Sequence, residues 1–285
     1  MSRFTSSDGL ALAFRDEGTG PALLCLPGLT RNGTDFDPVR TAFGHAWRII
    51  SLDSRGRGAS DHDPQFLNYD VRVETRDAIE LIDHLALPQV AVLGTSRGGL
   101  IAMSMAAIVP DRLSGVALVD VGPELAPEGL AAIMPHVGRA PDLPSLDAAA
   151  ARLAQVNADR FPGVSPAQWR TWAAGVFRET PAGLALTYDP RLRDALLAQA
   201  EAMAETGPPD LWPLFDLLKG LPLALLRGAN SDLLTAEAAD RMQARFPDMI
   251  RADIPDRGHV PFLDEPASRA ALGAFLARVT DRTDP

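Results

Sequence analysis

Cysteine, basic charge and long apolar stretches are what this sequence has least of. Cys25 is the only cysteine, so no intramolecular disulfide can form and the core must hold without one. It lies in the run Ala22-Leu23-Leu24-Cys25-Leu26, where a small buried hydrophobe is expected rather than a reactive thiol. No Cys/His spacing resembles a structural zinc site, and no metal is expected. No stretch approaches the roughly 18 consecutive apolar residues of a membrane span. Residues 1–6 also lack the apolar segment of a signal peptide, so no membrane association and a cytoplasmic setting are expected. Acidic residues outnumber basic ones, 37 to 27, for a formal net charge of −10. That balance argues against nucleic acid as a partner, because neutralising phosphates takes clustered Lys and Arg. The one arginine-dense block, Ser54-Arg55-Gly56-Arg57-Gly58, is short, is followed by Asp61 and Asp63, and reads as a loop. With 46% hydrophobic and 22% charged residues, disorder is excluded. The 285 residues suffice for one large domain with an insertion or for two modest ones.

Short apolar runs alternate with helical patterns. Residues 4–6 and 10–15 flank Asp8-Gly9, a hairpin turn signal. Runs at 22–26, 47–52, 90–93, 116–121, 223–226 and 249–254 are apolar on both faces, as strands of a parallel sheet covered by helices must be. Helices are predicted over 72–85, 100–109, 236–246 and 268–279. A leading hairpin followed by β–α units predicts an α/β fold with a mostly parallel, doubly wound sheet. The stretch from Gly122 to Phe215 breaks the rhythm. It shows no strand pattern, has Ala-rich helical patterns at 147–156 and 191–205, and is divided by Pro-rich joints. The expected organisation is a core of residues 1–121 and 216–285, with residues 122–215 as a helical cap.

The strongest chemical signal is Gly94-Thr95-Ser96-Arg97-Gly98-Gly99, placed between the apolar run from Val90 and the apolar stretch 100–109. A serine hydroxyl is a weak nucleophile and must be held exposed on a sharp turn beside a base. Such a turn crowds the positions two residues away on either side, and Gly94 and Gly98 meet that need. The helix start behind Ser96 favours negative charge there.

A base is expected downstream. His259 lies between the last strand run and the last helix, where an open α/β sheet places active residues. His45 and His62 precede the turn, His84 lies in a helix and His136 in the insertion. Asp232, just past the 223–226 run, is the expected acid that orients the imidazole, giving the order Ser96, Asp232, His259. Asp120, which ends the preceding strand, is its rival. An oxyanion needs two backbone N–H donors. Arg97 supplies one, and Leu29, in the Pro27-Gly28-Leu29 loop, is chosen for the other.

At these residues the sequence resembles the α/β-hydrolase superfamily, and most of all its esterase, enol-lactonase and epoxide-hydrolase-like branch. The matching pieces are Leu26-Pro27-Gly28, the stretch from Asp53 to Ser60, Gly94 to Gly99, and Gly258-His259 with Glu265-Pro266. Many relatives carry His-Gly where Pro27 stands here. The resemblance implies that no cofactor is needed. Members acting on epoxides or haloalkanes use an aspartate at the turn, so Ser96 argues against both chemistries. In the family Asp53, Arg55 and Arg57 belong to a loop with a mostly structural role.

The expected activity is hydrolysis of a small or medium carboxylic ester or lactone through an acyl-enzyme on Ser96, with a small-molecule substrate as the partner. C–C bond hydrolysis, perhydrolysis and acyl transfer by the same residues remain open, as does a ligand-binding protein on a retained fold. Arg31 and Arg97 either recognise a substrate carboxylate or form salt bridges that fix the donor loop. Trp169, Trp172 and Trp212, three of the four tryptophans, either line a substrate pocket or fill the insertion's own core.

Overall fold

In the computed structural model, which describes residues 1–283, the chain opens with the expected hairpin. Strands β1 (Ser2–Thr5) and β2 (Ala11–Glu17) pair antiparallel around a turn in which Gly9 takes a φ of +91°. There follow β3 (Ala22–Leu26), α1 (Asp37–Phe43), β4 (Arg48–Leu52), α2 (Val71–His84), β5 (Val90–Thr95), α3 (Arg97–Ile108) and β6 (Leu113–Val119). The chain then leaves the sheet through α4 (Pro127–Ile133), α5 (Leu146–Val156), α6 (Pro166–Ala174), the hairpin β7 (Phe177–Thr180) and β8 (Gly183–Leu186), α7 (Leu192–Thr206) and α8 (Trp212–Asp216). It returns as β9 (Leu223–Gly228), α9 (Ala236–Arg245), β10 (Ile250–Ile254) and α10 (Pro266–Thr283).

Eight strands form one sheet in the order β1-β2-β4-β3-β5-β6-β9-β10. It is antiparallel at the β1, β2 and β4 pairings and parallel from β4 to β10. Alternation of side chains explains why the strand runs are apolar throughout. On β5, Val90 and Val92 face one core with Ala78, Leu81 and Ile82 of α2 and Ile101 and Met105 of α3. Ala91 and Leu93 face the other, with Val39 of α1 and Leu272, Phe275 and Leu276 of α10. β3 divides the same way, Leu24 and Leu26 against Leu23 and Cys25.

Helix starts follow local chemistry. Asp70, Ser145, Ser165 and Thr235 each accept a backbone N–H of the first turn of α2, α5, α6 and α9, and Ser165 with Gln168 forms a full capping box.

The expectation of a strandless insertion is corrected by β7 and β8. These strands are only four residues long and Arg178 and Glu179 are exposed, so they carry almost no apolar pattern to read. Two clusters pack the insertion: one joins Val137, Tyr188 and Leu192 to Tyr69 of the main domain, and the other holds Phe161, Trp169 and Ala173. At its far end Phe215 of α8 is fully buried in the main core, so the chain rejoins that core before residue 216. No helix among the described residues is long and apolar enough to cross a membrane.

Cys25 sits on β3 with no exposed surface, and burial pushes its thiol pKa far up. Because only the thiolate reacts, the folded protein should give no reaction with a disulfide reagent such as Ellman's, and one thiol per chain once unfolded in guanidinium. Rapid stoichiometric reaction in native buffer would contradict this placement.

Candidate active site

β5 and β6 are parallel neighbours with Thr95 opposite Val119, so Ser96 and Asp120 leave the sheet side by side at one edge. Both adopt positive φ, +50° at Ser96 and +53° at Asp120. Residues with a Cβ avoid this region, at a cost of about 1–3 kcal/mol, unless their surroundings hold them there. Here the Ser96 N–H donates to Val119 O at 2.9 Å, the Gly99 N–H to Ser96 O at 2.8 Å, and the Asp120 N–H to Leu226 O at 2.8 Å. The glycines of the turn are required by space. A Cβ on Gly94 would lie 2.4 Å from Gly98 O, and one on Gly98 would lie 2.0 Å from Leu26 O.

His259 comes from the loop between β10 and α10. Its Nε2 lies 3.0 Å from Ser96 Oγ and its Nδ1 lies 2.8 Å from Asp120 Oδ2. The imidazole is largely buried and the Asp120 carboxylate fully so, while Asp120 Oδ1 accepts the Gly228 N–H at 3.2 Å. Glu265 organises the histidine loop: it accepts from Arg257 Nε (2.8 Å), the Phe262 N–H (2.9 Å) and the Ser268 hydroxyl (2.8 Å).

The structure therefore corrects the expectation for Asp232. Its carboxylate is paired with Arg160 and partly exposed, and Asp120 holds the imidazole instead. The loop after β9 turns towards the insertion, with the Ala126 N–H donating to Leu233 O at 2.8 Å. Gly129 of α4 presses so close that a Cβ there would lie 2.6 Å from Asp232 O.

Leu29 follows Gly28 in the loop beside Ser96, and Arg97 is the first residue of α3. Neither backbone N–H donates to a protein acceptor among the described residues. Gly28 O accepts the Arg31 N–H at 3.1 Å, which turns the other side of that peptide unit, the Leu29 N–H, the opposite way. A Cβ on Gly28 would come within 3.8 Å of Ser96 Cβ, so the loop passes beside the serine. Further along it, Asp53 accepts the Gly33 N–H at 2.7 Å and the Ala59 N–H at 2.9 Å. Burial nonetheless raises the Asp53 pKa.

The arginines near the turn are committed to protein partners. Arg97 donates to Glu74 through Nε at 2.7 Å, and to Tyr69 O at 2.9 Å. Arg57 donates to Glu74 at 2.7 Å and to Leu29 O at 2.8 Å. Burial alone would raise the Glu74 pKa, but Arg57 and Arg97 hold it below the usual carboxylate value. Arg31 pairs with Asp35 at 2.8 Å, donates to Trp172 O at 3.0 Å and lies 4.8 Å over the Trp172 ring. Of the two readings of Arg31 and Arg97, the geometry matches salt bridges fixing the loop. Glu74 and Tyr69 escaped sequence reasoning because nothing in an amphipathic helix start distinguishes a glutamate that faces inward.

Two of the three insertion tryptophans neighbour the site's loops. Trp169 is buried against Phe161, Trp172 and Phe262, and Phe161 packs on Gly258, beside His259. Trp172 covers Arg31. Trp212 is corrected: its ring packs on Phe215, lies under Arg245 and donates to Glu124 at 2.8 Å, in a seam between α8 and α9.

The alpha/beta hydrolase family model matches residues 23–272. A 3-hydroxybutyrate-oligomer hydrolase from Cupriavidus necator is 33% identical over 92% of this chain and 90% of its own. A 2-(acetamidomethylene)succinate hydrolase from Mesorhizobium japonicum is 28% identical over 81% of this chain and 78% of its own. The crystal structure of an alpha/beta hydrolase from Novosphingobium aromaticivorans superposes with a TM-score of 0.89 at 38% identity, covering 97% of each chain. A match along most of its length, on the sheet order and turn just described, means that this chain belongs to the alpha/beta hydrolase family.

Proposed function

We propose that the chain is a serine hydrolase cleaving a small or medium carboxylic ester or lactone through an acyl-enzyme on Ser96. One observation carries this reading: Ser96 Oγ, His259 and Asp120 form an unbroken relay, with contacts of 3.0 and 2.8 Å. In the first step Ser96 Oγ bonds to the substrate's carbonyl carbon while His259 Nε2 takes the hydroxyl proton. The carbonyl oxygen, now an anion, is held by the Leu29 and Arg97 N–H groups. Collapse expels the alcohol, which leaves with the proton from His259. In the second step His259 takes a proton from water as it attacks the acyl-enzyme; the bond from the acyl carbon to Ser96 Oγ then breaks, His259 returns the proton to Oγ, and the free acid leaves. Asp120 keeps the imidazole turned with Nε2 towards Ser96 and stabilises the imidazolium formed in each step.

Residues from 122 to about 210 act as a cap, with Phe161, Trp169, Trp172 and Phe262 bounding the acyl group. The relative 33% identical to this chain is named for 3-hydroxybutyrate oligomers, whose repeating bonds are carboxylic esters. Short hydroxyacyl esters are accordingly the substrates to try first.

A fluorophosphonate probe followed by mass spectrometry should mark Ser96, and Ser96→Ala should lose both labelling and ester turnover. Turnover retained in that variant removes Ser96 as nucleophile. Asp120→Asn should fold yet lose kcat by ~10³–10⁴, the scale for neutralising the acid of such a relay, with Asp232→Asn near wild type. The opposite ranking, measured with one activated ester, returns the acid's role to Asp232. For the cap, Trp172→Ala should shift kcat/KM ratios across a series of acyl chain lengths; constant ratios leave it a packing residue only.

A further inference from the structure

We propose that Glu74 is a positioning residue of the oxyanion hole, holding both of its backbone donors through two arginines. The inference rests on the reading of Ser96 given above and goes beyond it. Glu74 lies in the first turn of α2 and its side chain is almost wholly buried. Its two oxygens are shared between Arg57, in the loop after β4, and Arg97, at the start of α3. Oε1 accepts from Arg57 at 2.7 Å and from Arg97 at 3.2 Å, and Oε2 accepts Arg97 Nε at 2.7 Å. Arg57 then uses Nε to grip the carbonyl of Leu29 at 2.8 Å, while Arg97 itself carries the other donor on its backbone. One carboxylate thus fixes the residue that bears one N–H, and, through Arg57, the loop that bears the second.

The charges point the same way. Two guanidiniums share this single carboxylate, and Arg57 NH2 is buried with no hydrogen-bond acceptor among the described residues. In a dry setting the uncompensated positive charge favours an anion forming next to the loop. Arg55 provides the comparison, with its guanidinium fully matched to Asp77 at 2.6 and 2.7 Å and to Asp63 at 2.5 Å, and no contact with a donor residue.

The test compares wild type, Glu74→Gln and Arg57→Lys in three measurements: hydrolysis of p-nitrophenyl butyrate, inhibition by a trifluoromethyl ketone of the same acyl length, and inhibition by butyrate. The ketone binds as a hemiketal oxyanion and reports on the hole; butyrate reports on ground-state binding. Glu74→Gln should lower kcat by roughly 10- to 100-fold, the scale for donors displaced by a fraction of an ångström, with KM changed by less than about threefold. Affinity for the ketone should fall in step with kcat/KM while that for butyrate stays put, a split that a purely structural role does not produce. A cooperatively melting Glu74→Gln enzyme with kcat within about twofold of wild type overturns the proposal, as does a kcat loss without loss of ketone affinity. Should Glu74→Gln fail to fold, Arg57→Lys decides. It keeps a cation beside Glu74 but cannot also span to Leu29 O, so unchanged kcat and ketone affinity there overturn the proposal too. A wild type that is inactive and unlabelled at Ser96 overturns the nucleophile reading and this one with it. A labelled, active wild type beside a fully active Glu74→Gln overturns this one alone.

Discussion

The space between the end of β5 and the start of α3 is the constraint from which the rest of the site follows. The strand must stop, reverse and become a helix within one residue, and Ser96 is that residue. Backbone from Leu26 and Gly98 fills the volume that side chains at 98 and 94 would need, so the turn closes only with glycine there. Once closed, it holds Ser96 in a conformation that a free chain would abandon. The parallel register then brings Asp120 alongside without further design. Only the histidine has to be delivered from a distance, and its loop is stapled by Glu265 for that purpose.

Electrostatics does the second part of the work, almost entirely with arginine; Lys219 is the only lysine in the chain. An arginine fork can hold two oxygens in one plane, which suits buried loops whose shape matters more than their stability. Arg55 and Arg57, consecutive but for a glycine, serve different masters: the first locks the loop from Asp53 to Ser60 onto α2, the second reaches the carbonyl of Leu29. Burial raises the Asp77 pKa even beside Arg55, a sign of how dry the region is. Such pairs add little net stability over apolar packing but penalise any other arrangement of the loops.

Most of the architecture could be read from sequence because it is written in local patterns. Apolar runs located six strands of the main sheet, the Asp8-Gly9 turn signal located the leading hairpin, and the turn glycines located Ser96 with its flanks. His259 was legible from its position past the last strand. Three things were not. The choice between Asp120 and Asp232 depends on register, on which strand end lies beside which; both fit the order serine, acid, histidine, and the flexible stretch before Asp232 points to the residue that the register leaves away from the imidazole. The hairpin β7–β8 is too short and too exposed to leave a periodic trace. The ion pairs around Glu74 belong to the same class, since a carboxylate facing inward and one facing solvent look alike until the helix is docked.

The joint between insertion and core is itself chemically specific. Asn32 donates to Gly175 O at 3.0 Å, Arg31 to Trp172 O at 3.0 Å, and Gly175 has no Cβ because the Arg31 guanidinium occupies that space. The loop that presents Leu29 and the helix–hairpin junction of the insertion are therefore complementary surfaces, fitted as a lock is to its strike plate. For chimera building, the transplantable module is not the stretch between β6 and β9 by itself. It is that stretch together with residues 28–35, and a donor scaffold lacking the matching arginine, asparagine and glycine would seat the foreign insertion at another angle.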